Sequence, residues 1–127
     1  MLGVVQLQAA LNREAFSLLE KGAASAADID RAVQMGFGLR FLVSGPLEQR
    51  DLAGLDVHFR VMQQAYPDLA RDTQPNQAFA EMLERGERGL NAGKGFYDWN
   101  DEDPEDVRSD REERLIRSMA RLGLWKG

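Results

Sequence analysis

Cysteine is absent from the 127 residues, which excludes disulfides and thiolate metal sites. Histidine is almost absent: His58 stands alone, so a histidine-based metal centre has one imidazole at most. Carboxylates are plentiful but follow no EF-hand or comparable ligand spacing, and no metal site is expected. Long apolar runs are missing too. No stretch approaches the roughly 18 residues of a membrane span, and no signal-peptide pattern opens the chain. Basic residues are the minority, with 16 Lys and Arg against 21 Asp and Glu, a net charge of −5. Nucleic acid demands a basic face, so no nucleic-acid partner is expected. A cytoplasmic protein without membrane attachment is the expectation.

What is present is a globular composition, 43% hydrophobic and 29% charged. The length suits one domain over residues 1–127, with residues 100–127 as a C-terminal helical extension. From Val4 to Lys21 the apolar residues Val4, Leu7, Leu11, Ala15, Leu18 and Leu19 keep the spacing of an amphipathic helix. Gly22 is its natural stop. Nothing in Met1-Leu2-Gly3 caps this helix, so the chain reads as opening mid-helix. Ser25 offers an N-cap with Asp28 three residues on, and Gly36 is expected to end the second helix. Gly36–Ser44 reads as a buried connector, because no second strand candidate exists to pair with it.

A helical corner follows at Gly45–Asp56. Pro46 suits a first helical position, Gly54 a positive-φ terminus, and Asp56 a cap for the next helix. Leu47, Leu52 and Leu55 are expected to turn into one core. Further helices are expected to about Tyr66, where Pro67 stops the chain, from Ala78 to near Gly86, and from Pro104 to Gly123. Leu115, Ile116, Met119 and Leu122 are expected to face inward on the last. The class is all-α, with five to six helices.

No residue set forms a self-sufficient active site. His58 lies between Val57 and Phe59 without an orienting carboxylate nearby in sequence, and a rim position fits it better than a general base. Ser44 has no evident base. Gly93-Lys94-Gly95-Phe96-Tyr97 lacks the strand and the Ser/Thr of a phosphate loop, and Gly36-Phe37-Gly38 lacks the third glycine of a dinucleotide fingerprint. The former reads as a tight turn dropping Phe96 and Trp99 onto the core, or as a loop whose Lys94 lines a ligand groove. Asp51 and Asp56 read as caps, and the acidic run Asp98–Asp106 as a solvated helix entry.

Several motifs, in order, carry more than any one of them. Leu7-Gln8-Ala9-Ala10-Leu11-Asn12-Arg13-Glu14-Ala15 precedes Gly22-Ala23-Ala24-Ser25-Ala26-Ala27-Asp28-Ile29-Asp30. Gly36-Phe37-Gly38-Leu39-Arg40, the Gly45–Asp56 corner and Gly93-Lys94-Gly95-Phe96-Tyr97-Asp98-Trp99 follow. This succession closely resembles the C-terminal helical domain of the 3-hydroxyacyl-CoA dehydrogenases, and is similar up to the corner to carnitine and gulonate dehydrogenases and lambda-crystallin. The resemblance implies an all-α domain of the 6-phosphogluconate dehydrogenase C-terminal-like type. It implies a homodimer, an acyl-CoA substrate, and an NAD-binding Rossmann domain, in cis or in trans, that supplies the cofactor site and the catalytic histidine and glutamate. This chain itself then binds no cofactor and holds no catalytic residue. By the same resemblance Arg40, Ser44, Gly45, Pro46 and Lys94 border the substrate cleft. Where the family carries an Asn-Arg pair on its first helix, this chain has Val5 and Gln6. The implied function is the substrate-cleft and dimerisation domain of an NAD-dependent oxidoreductase of fatty acid metabolism. The alternatives are a stand-alone helical interaction module, or the same domain from a carnitine- or gulonate-type enzyme.

Overall fold

In the computed structural model, which describes residues 2–124, the first helix α1 spans Leu2–Glu20. Its end follows the expected chemistry. Gly22 takes φ +69°, its N–H bonds to the Leu19 carbonyl at 3.1 Å, and the Ala23 N–H bonds to Leu18 at 3.0 Å. That is a Schellman closure, repeated at Gly86 and at Gly123.

Ser25 caps α2 (Ala26–Arg31), its hydroxyl accepting from the Asp28 N–H at 3.1 Å. The rod does not stop at Gly36. It widens into a π-helix over Ala32–Gly38 and returns to α-helix as α3, Leu39–Phe41. The expected connector is therefore helical as far as Phe41, and Phe37, Leu39, Phe41, Leu42 and Val43 on it are exposed rather than buried. The reason is conformational. A glycine ends a helix by adopting positive φ, and neither Gly36 nor Gly38 does so. Gly38 instead removes a clash: a Cβ there would sit 2.5 Å from the Val33 carbonyl oxygen. Phe37 and Phe41 meet edge-on at 5.4 Å along the same rod.

Gly45, extended at ψ 176°, leads Pro46 into α4 (Pro46–Ala53), and Gly54 at φ +104° turns the chain into α5 (Leu55–Ala65). Asp56 does not cap α5. Gly54 occupies the cap position, and Asp56 adds negative charge to the first turn. Helix α5 ends at Ala65 with Tyr66 as its C-cap, within a residue of the expected stop, and Pro67 lies in the 3₁₀ turn Tyr66–Asp68 that follows. After a connector come α6 (Gln77–Glu84), a 3₁₀ turn at Leu90–Ala92 and α7 (Pro104–Arg121). Asp103 caps α7 by accepting from the Glu105 N–H at 3.0 Å. Counting α2, the π segment and α3 as one rod gives six helical rods and no β-strand among the described residues, the expected all-α class.

The chain divides into two compact units, one ending at Ala80 and one beginning at Glu81. In the first, side chains and a carbonyl of α1 bond to the connector before α6 and to the first turn of α6. Glu14 accepts from the Ala70 N–H, and Glu20 accepts from the Ala78 N–H at 3.3 Å. Asn76 works in both directions. Its amide donates to the Phe16 carbonyl at 3.1 Å, and its oxygen accepts from the Phe79 N–H at 2.9 Å, capping α6. The Phe16 and Phe79 rings stack at 5.2 Å.

A deep core is missing. Only Ser17 and Val107 count as buried among the described residues, while Leu47, Leu52 and Leu55 are 60–82% exposed. Leu115, Ile116 and Leu122 of α7 are exposed as well, contrary to the inward face expected of them. Their spacing marks an apolar face correctly but does not say what covers it.

Replacing Asn76 separates its two roles. Asn76→Asp keeps the cap and loses the donor to Phe16, whereas Asn76→Ala loses both. Urea unfolding is expected to show about 1 kcal/mol lost for the aspartate and about 2 kcal/mol for the alanine. Equal losses would mean that only one of the two bonds matters.

Candidate functional site

Arg40, Ser44, Gly45 and Pro46 are brought together by the turn between α3 and α4. The N–H groups of Val43 and Ser44 both bond to the Arg40 carbonyl, at 3.1 and 2.9 Å. The Ser44 hydroxyl donates to Glu48 at 2.8 Å, and the Ser44 carbonyl accepts from the Gln49 side chain at 2.8 Å. Arg50 reaches Gln49 at 3.5 Å and Nδ1 of His58 at 3.5 Å. The serine hydroxyl thus faces a carboxylate with no imidazole in contact. The half-buried His58 faces the Arg50 guanidinium through Nδ1. This network holds a shape and offers no nucleophile–base pair. Arg40 itself is exposed and forms no ion pair among the described residues.

Lys94 lies in the second unit, within a loop tied by its own backbone. Gly89 N–H bonds to the Lys94 carbonyl, Gly95 N–H to Tyr97 and Trp99 N–H to Gly93, each at 2.9 Å. Glycine at 95 is a steric requirement, since a Cβ there would lie 2.8 Å from the Gly89 Cα. The lysine ammonium sits 3.7 Å from Glu87, which also binds Arg85 at 3.0 Å. The Arg85 hydrogen bond, reinforced by the charges of Arg85 and Lys94, holds the Glu87 carboxyl below its usual range. Two cations on one carboxylate leave the cluster with a net positive charge. Arg108 pins the loop to α7, donating to Asn91 at 2.6 Å and to Glu105 at 3.2 Å. Phe96 is 40% exposed, and Trp99 packs at 5.9 Å from Tyr97, so the expected drop of both onto a core is replaced by a ring pair within the loop.

One feature escaped the sequence reading. Ala9, Asn12, Arg13 and Phe16 of α1 face Pro75 and Phe79 across a cleft of about 280 Å³. Val5, where the resemblance expects an asparagine, shares the helical face of Ala9, Asn12 and Phe16. The signal was in the spacing, but it becomes a cleft only once the connector folds back on α1. The residues present do not suit a dinucleotide: Gly36 and Gly38 lie inside the π segment, not on the strand-to-helix turn that cradles a pyrophosphate. No helix among the described residues is long and apolar enough to cross a membrane.

Known proteins resemble this chain closely. Residues 4–99 match the family described as 3-hydroxyacyl-CoA dehydrogenase, C-terminal domain. The 5-formyl-3-hydroxy-2-methylpyridine 4-carboxylate 5-dehydrogenase of Mesorhizobium japonicum is 29% identical over 84% of this chain and 35% of its own length. A probable 3-hydroxyacyl-CoA dehydrogenase of Caenorhabditis elegans is 36% identical over 66% of this chain and 27% of its own. The 3-hydroxyadipyl-CoA dehydrogenase of Escherichia coli is 34% identical over 70% of this chain and 18% of its own. A crystal structure of the pyridine-carboxylate enzyme, described as an NAD⁺-dependent dismutase, superposes with a TM-score of 0.87. That match has 26% identity and covers 95% of this chain and 39% of that one. The chain therefore spans about a third or less of the length of these relatives.

Two outcomes test the loop. Gly95→Ala is expected to abolish the contact shifts between the Tyr97 and Trp99 rings in NMR spectra while leaving helix content unchanged. Because the folded Glu87 carboxyl titrates below its reference of 4.5, its contribution is complete above that value and lost as the pH falls through the depressed one. The ring shifts should hold from neutral pH to the usual carboxylate range and change only beneath it.

Proposed function

Because the chain belongs to the 3-hydroxyacyl-CoA dehydrogenase family, as its C-terminal domain, we propose that it forms the substrate-cleft and dimerisation half of such an NAD-dependent enzyme. It works only beside an NAD-binding half. The reaction is the oxidation of a 3-hydroxyacyl-CoA of fatty acid metabolism, with the hydride leaving C3 for the nicotinamide. The cofactor and the acid–base pair belong to the other half. This chain contributes the wall.

The observation that carries the reading is the exposed surface. The chain exposes 10307 Å², whereas two independently compact units of these sizes would together expose only about 8,000 Å². The excess, about 2,000 Å², is of the order that obligate interfaces remove from water. Helix α1 has the same character, with Leu7, Leu11 and Leu18 exposed on one side and, on another, Val5 and Ala9 exposed and Phe16 half-buried. A helix that is apolar on more than one side is built to be surrounded. A second copy and an NAD-binding domain are the partners we assign to this surface. Arg40 and the Ser44–Pro46 turn then border the cleft, where the free guanidinium suits an anionic substrate group. Lys94, held against Glu87 in the second unit, is proposed from the resemblance alone as a further substrate-binding residue.

One observation favours a different substrate on the same scaffold. The relative that superposes over nearly the whole chain acts, by its name, on a small pyridine carboxylate. A compact hydroxy acid, of the kind carnitine- and gulonate-type enzymes use, is the second reading. A stand-alone interaction module is the third, favoured by Val5 and Gln6 in place of the family's polar pair.

Mixing the chain with a separately expressed NAD-binding domain of the family, NAD and a 3-hydroxyacyl-CoA should produce NADH. The chain alone should produce none. NADH from a hydroxy acid but not from the thioester selects the second reading, and no NADH from either selects the third. Turnover by the isolated chain would overturn the claim that it lacks the chemistry. Sedimentation at micromolar concentration should give a dimer, and a monomer at every concentration would refute the dimerisation role.

A further inference from the structure

Helix α7 carries its charges in an unusual order. At 100° per residue, Asp103, Asp106, Asp110, Arg114, Arg117 and Arg121 fall within an arc of about 80° on one face of the helix and its cap. Leu115, Met119 and Leu122 occupy the far side. Along the charged face the three acids come first and the three arginines last. The order is also antisymmetric about residue 112. Asp103 lies nine residues before it and Arg121 nine after; Asp110 and Arg114 lie two before and two after; Asp106 lies six before and Arg117 five after.

The helix satisfies these charges unevenly. Arg114 meets Asp110 at 3.0 Å, and Arg117 turns to Glu113 at 2.7 Å. Asp106 and Arg121 form no ion pair among the described residues. Arg114, Arg117 and Arg121, with Ser118, line a shallow cleft of about 230 Å³, wide enough for a carboxylate side chain.

We infer that α7 is a self-pairing helix: two copies of the chain lay this face together, antiparallel, about a two-fold axis near residue 112. Asp103 then meets the partner's Arg121, Asp106 meets the partner's Arg117 and Asp110 meets the partner's Arg114, each contact occurring twice. A two-fold contact requires a patch to complement itself, and an antisymmetric charge order does so. A parallel pairing stacks like charges. A partner of one sign would meet repulsion along half of the face. This contact is separate from the apolar dimerisation surface proposed above and does not depend on it. Exposed ion pairs are individually weak and screened within about 10 Å at about 0.1 M salt, so the association is salt-sensitive by construction.

Sedimentation velocity on the full chain at about 50 mM and about 500 mM NaCl reads it out. A larger species is expected at low salt and a smaller one at high salt. Arg114→Glu/Arg117→Glu and Asp106→Lys/Asp110→Lys should each lose the low-salt step alone, and an equimolar mixture of the two should regain it. Circular dichroism checks that both remain helical. If either does not, Arg121→Gln at the helix end takes its place, with a several-fold weaker low-salt association expected. Association that is indifferent to salt and to these changes, or a mixture that fails to regain it, overturns the pairing. A dimer that persists at high salt and in both variants leaves the apolar interface standing while the α7 pairing falls. A chain monomeric under every condition defeats both.

Discussion

Backbone amides outside helices and sheets must find acceptors, and the first unit is organised by how α1 supplies them. Glu14 takes up the Ala70 amide of the connector before α6, Glu20 the Ala78 amide in the first turn of α6, and the Phe16 carbonyl the side-chain amide of Asn76. Unpaired amides at partly buried positions each cost a substantial part of a domain's net stability. Polar bonds, rather than a deep apolar core, tie this segment to α1. The stacked pair of Phe16 and Phe79 is the main apolar addition. The cleft beside Asn12 and Arg13 is a by-product of that fold-back, since the same connector forms its second wall.

The second unit reaches the same end differently. Its loop closes on itself through three backbone bonds across glycines, and Arg108 fastens it to α7. Neither unit encloses a sizeable interior. The apolar residues that the sequence sets at helical spacing lie largely on surfaces open to solvent. A partner that covered these surfaces would stabilise the folded chain by mass action.

Local signals were legible in the sequence, and long-range ones were not. Ser25, Pro46 and Pro104 start helices, and Gly22, Gly86 and Gly123 end them, because such signals are decided within a few residues. Gly36 misled because the residue type permits positive φ without demanding it, and a π-helix can run through it. Asp56 misled because Gly54 already held the cap position. The inward face assigned to Leu115, Ile116 and Leu122 failed for another reason: periodicity identifies an apolar face, but not whether the covering surface lies in the same chain. The candidate site was legible only as far as the turn after Arg40. The cleft on α1 joins residues about sixty positions apart, and the Lys94–Glu87–Arg85 cluster depends on a loop closure that spacing does not encode.

The π segment has a geometric consequence beyond length. Each residue in a widened turn advances the helix by less than the 100° of an α-turn, so the rod leaves Gly38 out of phase with the rod that entered at Ala32. Arg40 therefore points where no uninterrupted α-helix from Ser25 would aim it. The azimuth of the one free guanidinium at the corner is set by the bulge before it, and Gly38 is the residue that lets the bulge exist.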